Sequence, residues 1–407
     1  MDWIERKEYL SWLLRWRERQ LIKVVSGVRR CGKSTLFQIY QDHLLKDGVD
    51  PRQIISINFE DLDFEHLTDY RTLYDHIKSR LLPDQMNYIF LDEIQHVESF
   101  EKAVDSLFLK ENCDVYITGS NAYFMSGDLA TLLSGRYVEL KMLPLSFREF
   151  CSGYQGPPGS KAQRFDAYMH MSSFPYALRL PDTGREVQEY LLDIYHTVLL
   201  KDVVVRQRIA DVTSLEQVTK FILHNIGNRV SPGKIANTLK SAGKGVDQKT
   251  VDKYLRGLTD SLLLYEATRY DIKGKQYLST QSKYYAADVT LRNALVKGSA
   301  SDIGHILENI VYLELLRRGY QVFVGDIDHG EVDLVAVESG TLTYYQVSAT
   351  TLDGAVLERE LTPLRKIPDN HPKYLLTLDE VFAEADYDGI KKRNVLDWLL
   401  EDPEQSR

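Results

Sequence analysis

The sequence predicts an α/β protein. A parallel sheet with helices on both faces comes first, then a helical connector, a three-helix module closed by a β-ribbon, and a second, smaller α/β domain. Three observations carry this prediction. Short apolar runs at Leu21–Val25, Ile54–Phe59, Tyr88–Leu91 and Val115–Thr118 are separated by segments long enough for crossover helices, the pattern of a parallel sheet. The chain has 407 residues, more than one ordinary core accommodates. Hydrophobic residues at 43% and charged residues at 27% sit at globular averages, which excludes disordered and fibrous classes.

Taken in order, Ile4–Arg19 spaces Ile4, Tyr9, Leu10, Leu13 and Leu14 at helical intervals, with Trp3, Trp12 and Trp16 adding bulk, and reads as a docking helix. The β-rich run Leu21–Val25 ends at Ser26-Gly27, and helical character begins at Lys33. After the next three strands, Tyr137–Leu140 adds a further one and leads into Met142–Phe150. The Gly/Pro-rich stretch Gly153–Gly159 then punctuates the chain. Residues 160–212 read as helical, Tyr190–Leu200 offering a broad apolar face. Leu215–Asn225 is a helix, Ser231 and Pro232 are the N-cap and first residue of a second, and Asp247–Leu264 forms a third. With the ribbon Tyr265–Tyr285 these make a winged helix. The last segment starts with a helix through Glu308 and Glu314. It continues with strands at Gln321–Val324, Val332–Val337, Leu342–Val347 and Tyr374–Leu378, and ends in a helix. The expected domains are therefore 1–155, 156–213, 214–285 and 286–407.

The junction of the first strand and helix carries the chemistry. Gly27-x-x-x-x-Gly32-Lys33-Ser34 is the Walker A pattern, whose glycines let backbone N–H groups wrap phosphates at a helix N-terminus. Gly27, Val28, Arg29, Arg30, Cys31, Gly32, Lys33, Ser34 and Thr35 are the expected ATP-binding residues. Lys33 would reach the β- and γ-phosphates and Ser34 would ligate Mg²⁺. Tyr88–Leu91 delivers Asp92 as a second Mg²⁺ ligand and Glu93 as the general base. Charge stabilisation calls for a polar sensor and an arginine. Ser120 or Asn121, after the next strand, and Arg136, acting in cis or from a neighbouring subunit, are the candidates.

At these residues the sequence resembles a widespread family of bacterial and archaeal AAA+-type P-loop ATPases with a conserved C-terminal region of unknown function. The resembling stretches are 24–35, Phe90–Gln95, Ile117–Asn121, Leu133–Arg136 and Pro144–Phe150, continuing through Phe174-Pro175 and Leu200–Asp202. The resemblance implies ATP binding and hydrolysis. In place of the family's usual Gly-Gly before Phe174-Pro175 stand Ser172 and Ser173, which argues against a close backbone approach there.

Residues 286–407 resemble the PD-(D/E)xK nuclease fold, with Glu308 on a helix, Glu331 and Asp333 on one strand, and Gln346 and Ser348 on the next. In active members an acid and a lysine take the last two places and assemble around Mg²⁺. Gln346 and Ser348 replace them here, so cleavage should be absent or very weak, and the domain reads as a degenerate nuclease kept for binding or structure.

The net charge of −9 hides an uneven distribution: residues 214–285 hold twelve Lys/Arg against six acids, leaving −15 for the rest. The basic segment would place Lys244, Lys249, Lys253 and Arg256 near phosphates, with Lys273 and Lys275 on the wing, making duplex DNA the favoured partner. A protein partner and homo-oligomers are also open. No apolar run approaches the about 18 residues of a membrane span, and the N-terminus lacks signal-peptide order, so a cytoplasmic protein with no membrane partner is expected. Cys31, Cys113 and Cys151 show no metal or disulfide spacing. The composite reading is an ATP-driven switch. A protein-binding signalling ATPase, a metal-dependent nuclease and a small-molecule kinase are the alternatives.

Overall fold

The computed structural model describes residues 3–119, 133, 135–180, 184–243, 245–296, 303–327 and 330–402. The chain divides into two compact units, 1–144 with 260–262 and the remainder.

The first unit is built on a five-stranded sheet in the order β2-β3-β4-β1-β5, with β1 Ile22–Gly27, β2 Ile54–Asn58, β3 Asn87–Asp92, β4 Cys113–Thr118 and β5 Tyr137–Met142. Every pairing is parallel. Helix α1 (Lys7–Arg15) precedes the sheet; α2 (Lys33–Lys46), α3 (Tyr70–Lys78) and α4 (Phe100–Phe108) lie between strands. Every residue of β1 and β3 is buried, as expected for strands covered on both faces.

Period-two alternation decides which side chains meet which helix. Ile22, Val24, Ile89, Leu91, Val115 and Ile117 share one face with Leu73 and Ile77 of α3 and Val104 and Leu107 of α4. On the opposite face Phe90 and Tyr116 stack at 4.9 Å, and Phe37 and Tyr40 of α2 meet them edge-on. That face also holds Lys23, paired with Asp114 while donating to the carbonyl of Arg19 at 2.6 Å; both side chains are buried. Tyr116 donates to Asp114 at 2.7 Å. Removing one member of such a pair costs about 3–5 kcal/mol, because the other charge is stranded.

The second unit centres on an eight-stranded sheet in the order β12-β13-β11-β10-β9-β8-β6-β7. Its strands are β6 Leu264–Asp271, β7 Gln276–Ala286, β8 Gln321–Ile327, β9 Gly330–Glu338, β10 Thr341–Ser348, β11 Lys373–Thr377, β12 Ala385–Tyr387 and β13 Ile390–Asn394. The ribbon expected as a wing is the β6–β7 hairpin. It pairs in parallel with β8 through Arg269–Val324, Tyr270–Gly325 and Asp271–Asp326, so one sheet continues across position 286.

Among the described residues follow helices α5 (Phe147–Gly153), α6 (Lys161–Met171), α7 (Arg185–Thr197), a π-helical turn at Val198–Val205, α8 (Val212–His224), α9 (Pro232–Ser241), α10 (Gln248–Asp260), α11 (Val289–Leu295), α12 (Ile303–Arg317), α13 (Gly354–Arg365) and α14 (Val395–Leu400). Ser231 caps α9 through the amide of Lys234, with Pro232 at its first position, as the sequence indicates. Asp247 receives the amides of Lys249 and Thr250 at the start of α10. The third helix stops at Asp260 rather than Leu264, because Leu264 opens β6.

Ser172 ends α6 with φ +83°, a backbone that glycine adopts freely. A close approach occurs there despite the missing glycines: the amide of Ser173 donates to Asp288 at 2.6 Å and the Ser172 hydroxyl donates to the same oxygen at 3.1 Å. The serine hydroxyls supply hydrogen bonds to a buried carboxylate, which offsets the strain of the positive φ.

Candidate functional site

The carboxyl ends of β1, β4 and β3 lie side by side, at the point where the strand order reverses, and open sheets of this type bind ligands there. The loop from β1 to α2 turns through Arg30 at φ +66° and Gly32 at φ +105°. Gly27 is required by space: an added Cβ would lie 2.5 Å from the carbonyl oxygen of Met142 and 2.8 Å from Cys31 Sγ. The loop is also held from below. Arg6, 3% exposed, donates to the carbonyls of Cys31 at 3.1 Å and Leu143 at 2.7 Å. Burial pushes the Cys31 thiol above its ordinary pKa despite nearby Lys33 and Arg6, so this cysteine packs rather than reacts.

Gly32 gives the start of α2 no side-chain cap, so the first-turn amides are open to an anion. Lys33, 4% exposed, donates to the Gly27 carbonyl at 3.2 Å and stands 3.7 Å from Glu93. A buried ammonium beside an uncapped 14-residue helix fits a polyphosphate.

Asp92 and Thr118 point to the α2 face of the sheet because they share the alternation of Phe90 and Tyr116. The Thr118 hydroxyl donates to Asp92 Oδ1 and accepts the Glu93 amide at 2.9 Å. Ser34 also hydrogen-bonds the Asp92 carboxyl. Burial raises the Asp92 pKa, the Ser34 and Thr118 bonds oppose that rise, and the charge of Glu93 reinforces it. Ser34 and Asp92 are thus placed to hold Mg²⁺, which would supply Lewis-acid stabilisation of phosphate charge.

Glu93 adopts φ +57° and accepts from the Gln95 amide. Burial pulls its pKa up, but Lys33, Gln95, Arg29 and His96 outweigh burial and hold it below the ordinary glutamate value, so it is a carboxylate at neutral pH and able to accept a proton.

Among the sequence candidates, Gly27, Val28, Cys31, Gly32, Lys33, Ser34, Thr35, Asp92 and Glu93 fall at this one edge. Arg29 lies in the loop 3.7 Å from Glu60, and Arg30 is exposed. Ser120 and Asn121 lie outside the described residues. Arg136 is elsewhere: its carbonyl accepts from Ile22, at the opposite end of β1 from Gly27, and its guanidinium sits 5.5 Å over the Phe108 ring. At ~3.3 Å per residue the five steps from Ile22 to Gly27 put it about 17 Å from its own phosphate loop. Thr118 and Arg6 were missed as site residues. Thr118 ends an apolar strand beside Gly119, and the signal for it was its parity with Asp92; for Arg6 the sequence carries none.

In the second unit the pairing of β9 with β10 sets Gln346 opposite Asp333. Asp333 accepts the Val347 amide at 2.9 Å, Gln346 donates to Glu360 at 2.9 Å, and Ser348 donates to the Thr350 carbonyl at 3.1 Å. Glu308, Glu331 and Asp333 come together as the sequence order suggested. The ammonium among them belongs to Lys283, a residue that nothing in the motif pointed to.

The fold and this constellation define an AAA+-type P-loop ATPase. The chain belongs to the family in which an AAA domain, matched over residues 19–151, is followed by a domain of unknown function (DUF8612), matched over 162–302. It is 37% identical to an uncharacterized protein of Haemophilus influenzae over 98% of this chain and 99% of that one. An uncharacterized protein of Methanocaldococcus jannaschii is 30% identical, over 74% of this chain and 67% of its own length. Among solved structures, the Walker-type ATPase paby2304 of Pyrococcus abyssi superposes with a TM-score of 0.50 at 17% identity, covering 72% of this chain and 96% of that one, a likeness of fold. No helix among the described residues is long and apolar enough to cross a membrane.

Replacing Thr118 with Val removes both hydrogen bonds at the junction of Asp92 and Glu93 while keeping the side-chain shape. The turnover number for ATP should drop roughly ten- to a hundredfold, the scale of a hydrogen bond to a charged group at about 1.5–3 kcal/mol, with little change in ATP affinity. Steady-state kinetics beside equilibrium binding decide this; an unchanged turnover number would remove Thr118 from the site.

Proposed function

We propose that this chain is a Mg²⁺-dependent ATPase working as a nucleotide-driven switch, with duplex DNA engaged by its C-terminal half. The observation that carries the ATPase reading is the cluster of buried Lys33, Asp92, Glu93 and Thr118 with half-buried Ser34 at an uncapped helix start. In this reading residues 1–155 bind and hydrolyse ATP, 156–213 sense the nucleotide state, 214–285 act as a winged helix, and 286–407 act as a nuclease-like binding domain. Lys33 holds the phosphate charge, Ser34 and Asp92 hold Mg²⁺, and Glu93 takes the proton of the attacking water.

The DNA reading rests on the charge of the 214–285 segment and its exposure. Lys234, Lys240, Lys249, Lys253, Lys273 and Lys275 are all exposed, on α9, α10 and the hairpin turn; Arg256 is exposed too and pairs with Asp252 at 2.8 Å. Lys244 lies outside the described residues. Exposed lysines on two helices and a hairpin turn suit a phosphate backbone better than a protein core.

Arg136 lies too far from its own loop to touch a bound nucleotide, so we assign it to the site of a neighbouring copy. A homo-oligomer follows from that assignment.

Two experiments test these statements. Duplex DNA should stimulate ATP hydrolysis at low salt, and Glu93→Gln should abolish the activity. The double variant Lys249→Glu/Lys253→Glu should lose the stimulation and flatten the salt dependence of DNA binding by about one per contact removed. Hydrolysis indifferent to DNA would discard the DNA partner in favour of a protein. Separately, mixing inactive Glu93→Gln with inactive Arg136→Ala should restore hydrolysis, since a site with Glu93 from one copy then meets Arg136 from the other. Absence of restoration, with each variant binding ATP, would contradict the assignment in trans.

A further inference from the structure

The carboxylates of Glu308, Glu331 and Asp333 converge from α12 and β9 on one point of the second unit, and that point is filled. Lys283, on β7 and 2% exposed, places its Nζ 2.8 Å from Glu308 Oε1, 2.6 Å from Glu331 Oε1 and 3.9 Å from Asp333 Oδ1. Tyr285, two residues along the same strand, donates to Glu308 Oε1 at 2.6 Å. Carboxylate oxygens from two elements facing one centre are the ligand chemistry a hard divalent cation selects, although as placed around the ammonium no group of acids among the described residues is close enough to hold a metal. The ammonium meets Glu308 and Glu331 at hydrogen-bond distance and faces Asp333 as a charge at 3.9 Å.

A second segment lies against the cluster, while the Glu331 side chain stays 31% exposed. Arg229 pairs with Glu331 and stands 3.0 Å from Asp326, adding a second fixed cation. Its neighbour Gly227, at φ +72°, runs so close that an added Cβ would lie 2.7 Å from His305 Nδ1 and 3.4 Å from Glu308 Oε2.

We propose that Lys283 is a tethered cation permanently seated where Glu308, Glu331 and Asp333 would otherwise hold a divalent metal. The seat then serves to lock β7, α12 and β9 together rather than to bind metal or cut a phosphodiester. Two protein cations answer the carboxylates, and the Gly227–Arg229 segment lies against Glu308 and Glu331. The degenerate Gln346 and Ser348 are consistent with this: Gln346 is spent on Glu360 and Ser348 on a backbone carbonyl. This inference is independent of the ATPase and DNA readings.

The test uses the full-length, nucleotide-free protein and Mn²⁺ as the probe. Wild type should take up no Mn²⁺ that Asp333→Asn abolishes, by the loss of the free Mn²⁺ paramagnetic signal, and its thermal midpoint should not respond to Mn²⁺ or to a chelator. Lys283→Ala should show a lowered midpoint that Mn²⁺ raises by several degrees, with saturable Mn²⁺ uptake that Lys283→Ala/Asp333→Asn loses. Uptake by wild type that depends on Asp333 would overturn the proposal, as would a folded Lys283→Ala that binds no more Mn²⁺ than wild type. Should Lys283→Ala fold only in the presence of Mn²⁺, the seat is demonstrated directly. Should it not fold in either condition, the wild-type titration alone decides, by whether any uptake depends on Asp333.

Discussion

The Thr118 hydroxyl joins the parts of the nucleotide site: it donates to Asp92 Oδ1 and accepts the backbone amide of Glu93. That one group fixes the side chain of the candidate metal ligand and the backbone of the candidate base. It can do so because β4 lies between β3 and β1, and because parallel register puts Thr118 beside Val25 and one step beyond the Leu91–Ile117 pair. The same alternation that buries Phe90 and Tyr116 against α2 carries Asp92 and Thr118 to the start of that helix, where Lys33 and Ser34 wait. Packing of the aromatic face and assembly of the site are thus one constraint. A register slip of one residue in β3 would send Asp92 to the α3–α4 face and dismantle both.

Buried charge is handled the same way in the two units. Lys23 with Asp114 in the first, and Lys283 with Glu308, Glu331 and Asp333 in the second, place lysine ammoniums among carboxylates inside the sheet layers. Isolated, each would be prohibitively costly; paired, each specifies which strands can be neighbours. Lys33 with Glu93 departs from this pattern, since at 3.7 Å the pair is loose and Lys33 also relies on the Gly27 carbonyl. A loose ammonium at the mouth of an uncapped helix is available to phosphate in a way that Lys23 and Lys283 are not.

Much of the first unit was legible because its signals are local. Five apolar runs mark the five strands, and Gly27 to Ser34 with Asp92-Glu93 mark the candidate site, since phosphate binding needs backbone geometry that few sequences encode. The cap Ser231 was equally readable. What could not be read arises from contacts between distant segments. Arg6 reaches the phosphate loop across the chain, Lys283 enters a carboxylate cluster from a hairpin expected to be a free wing, and that hairpin joins β8 by a pairing between residues more than fifty positions apart. Arg136 shows the converse limit. The resemblance makes it a candidate, but only the sheet register shows that it sits at the opposite end of β1 from its own phosphate loop.

The central claim is that the loop after β1 binds ATP through Lys33. Its most direct test is equilibrium titration of ATP with Mg²⁺ into wild type and Lys33→Ala, followed by a labelled nucleotide or by calorimetry. The structure predicts saturable one-to-one binding to wild type and a loss of at least tenfold in the variant, with the fold intact by circular dichroism. Wild type that binds no ATP, or a folded Lys33→Ala that binds it equally well, would contradict the account.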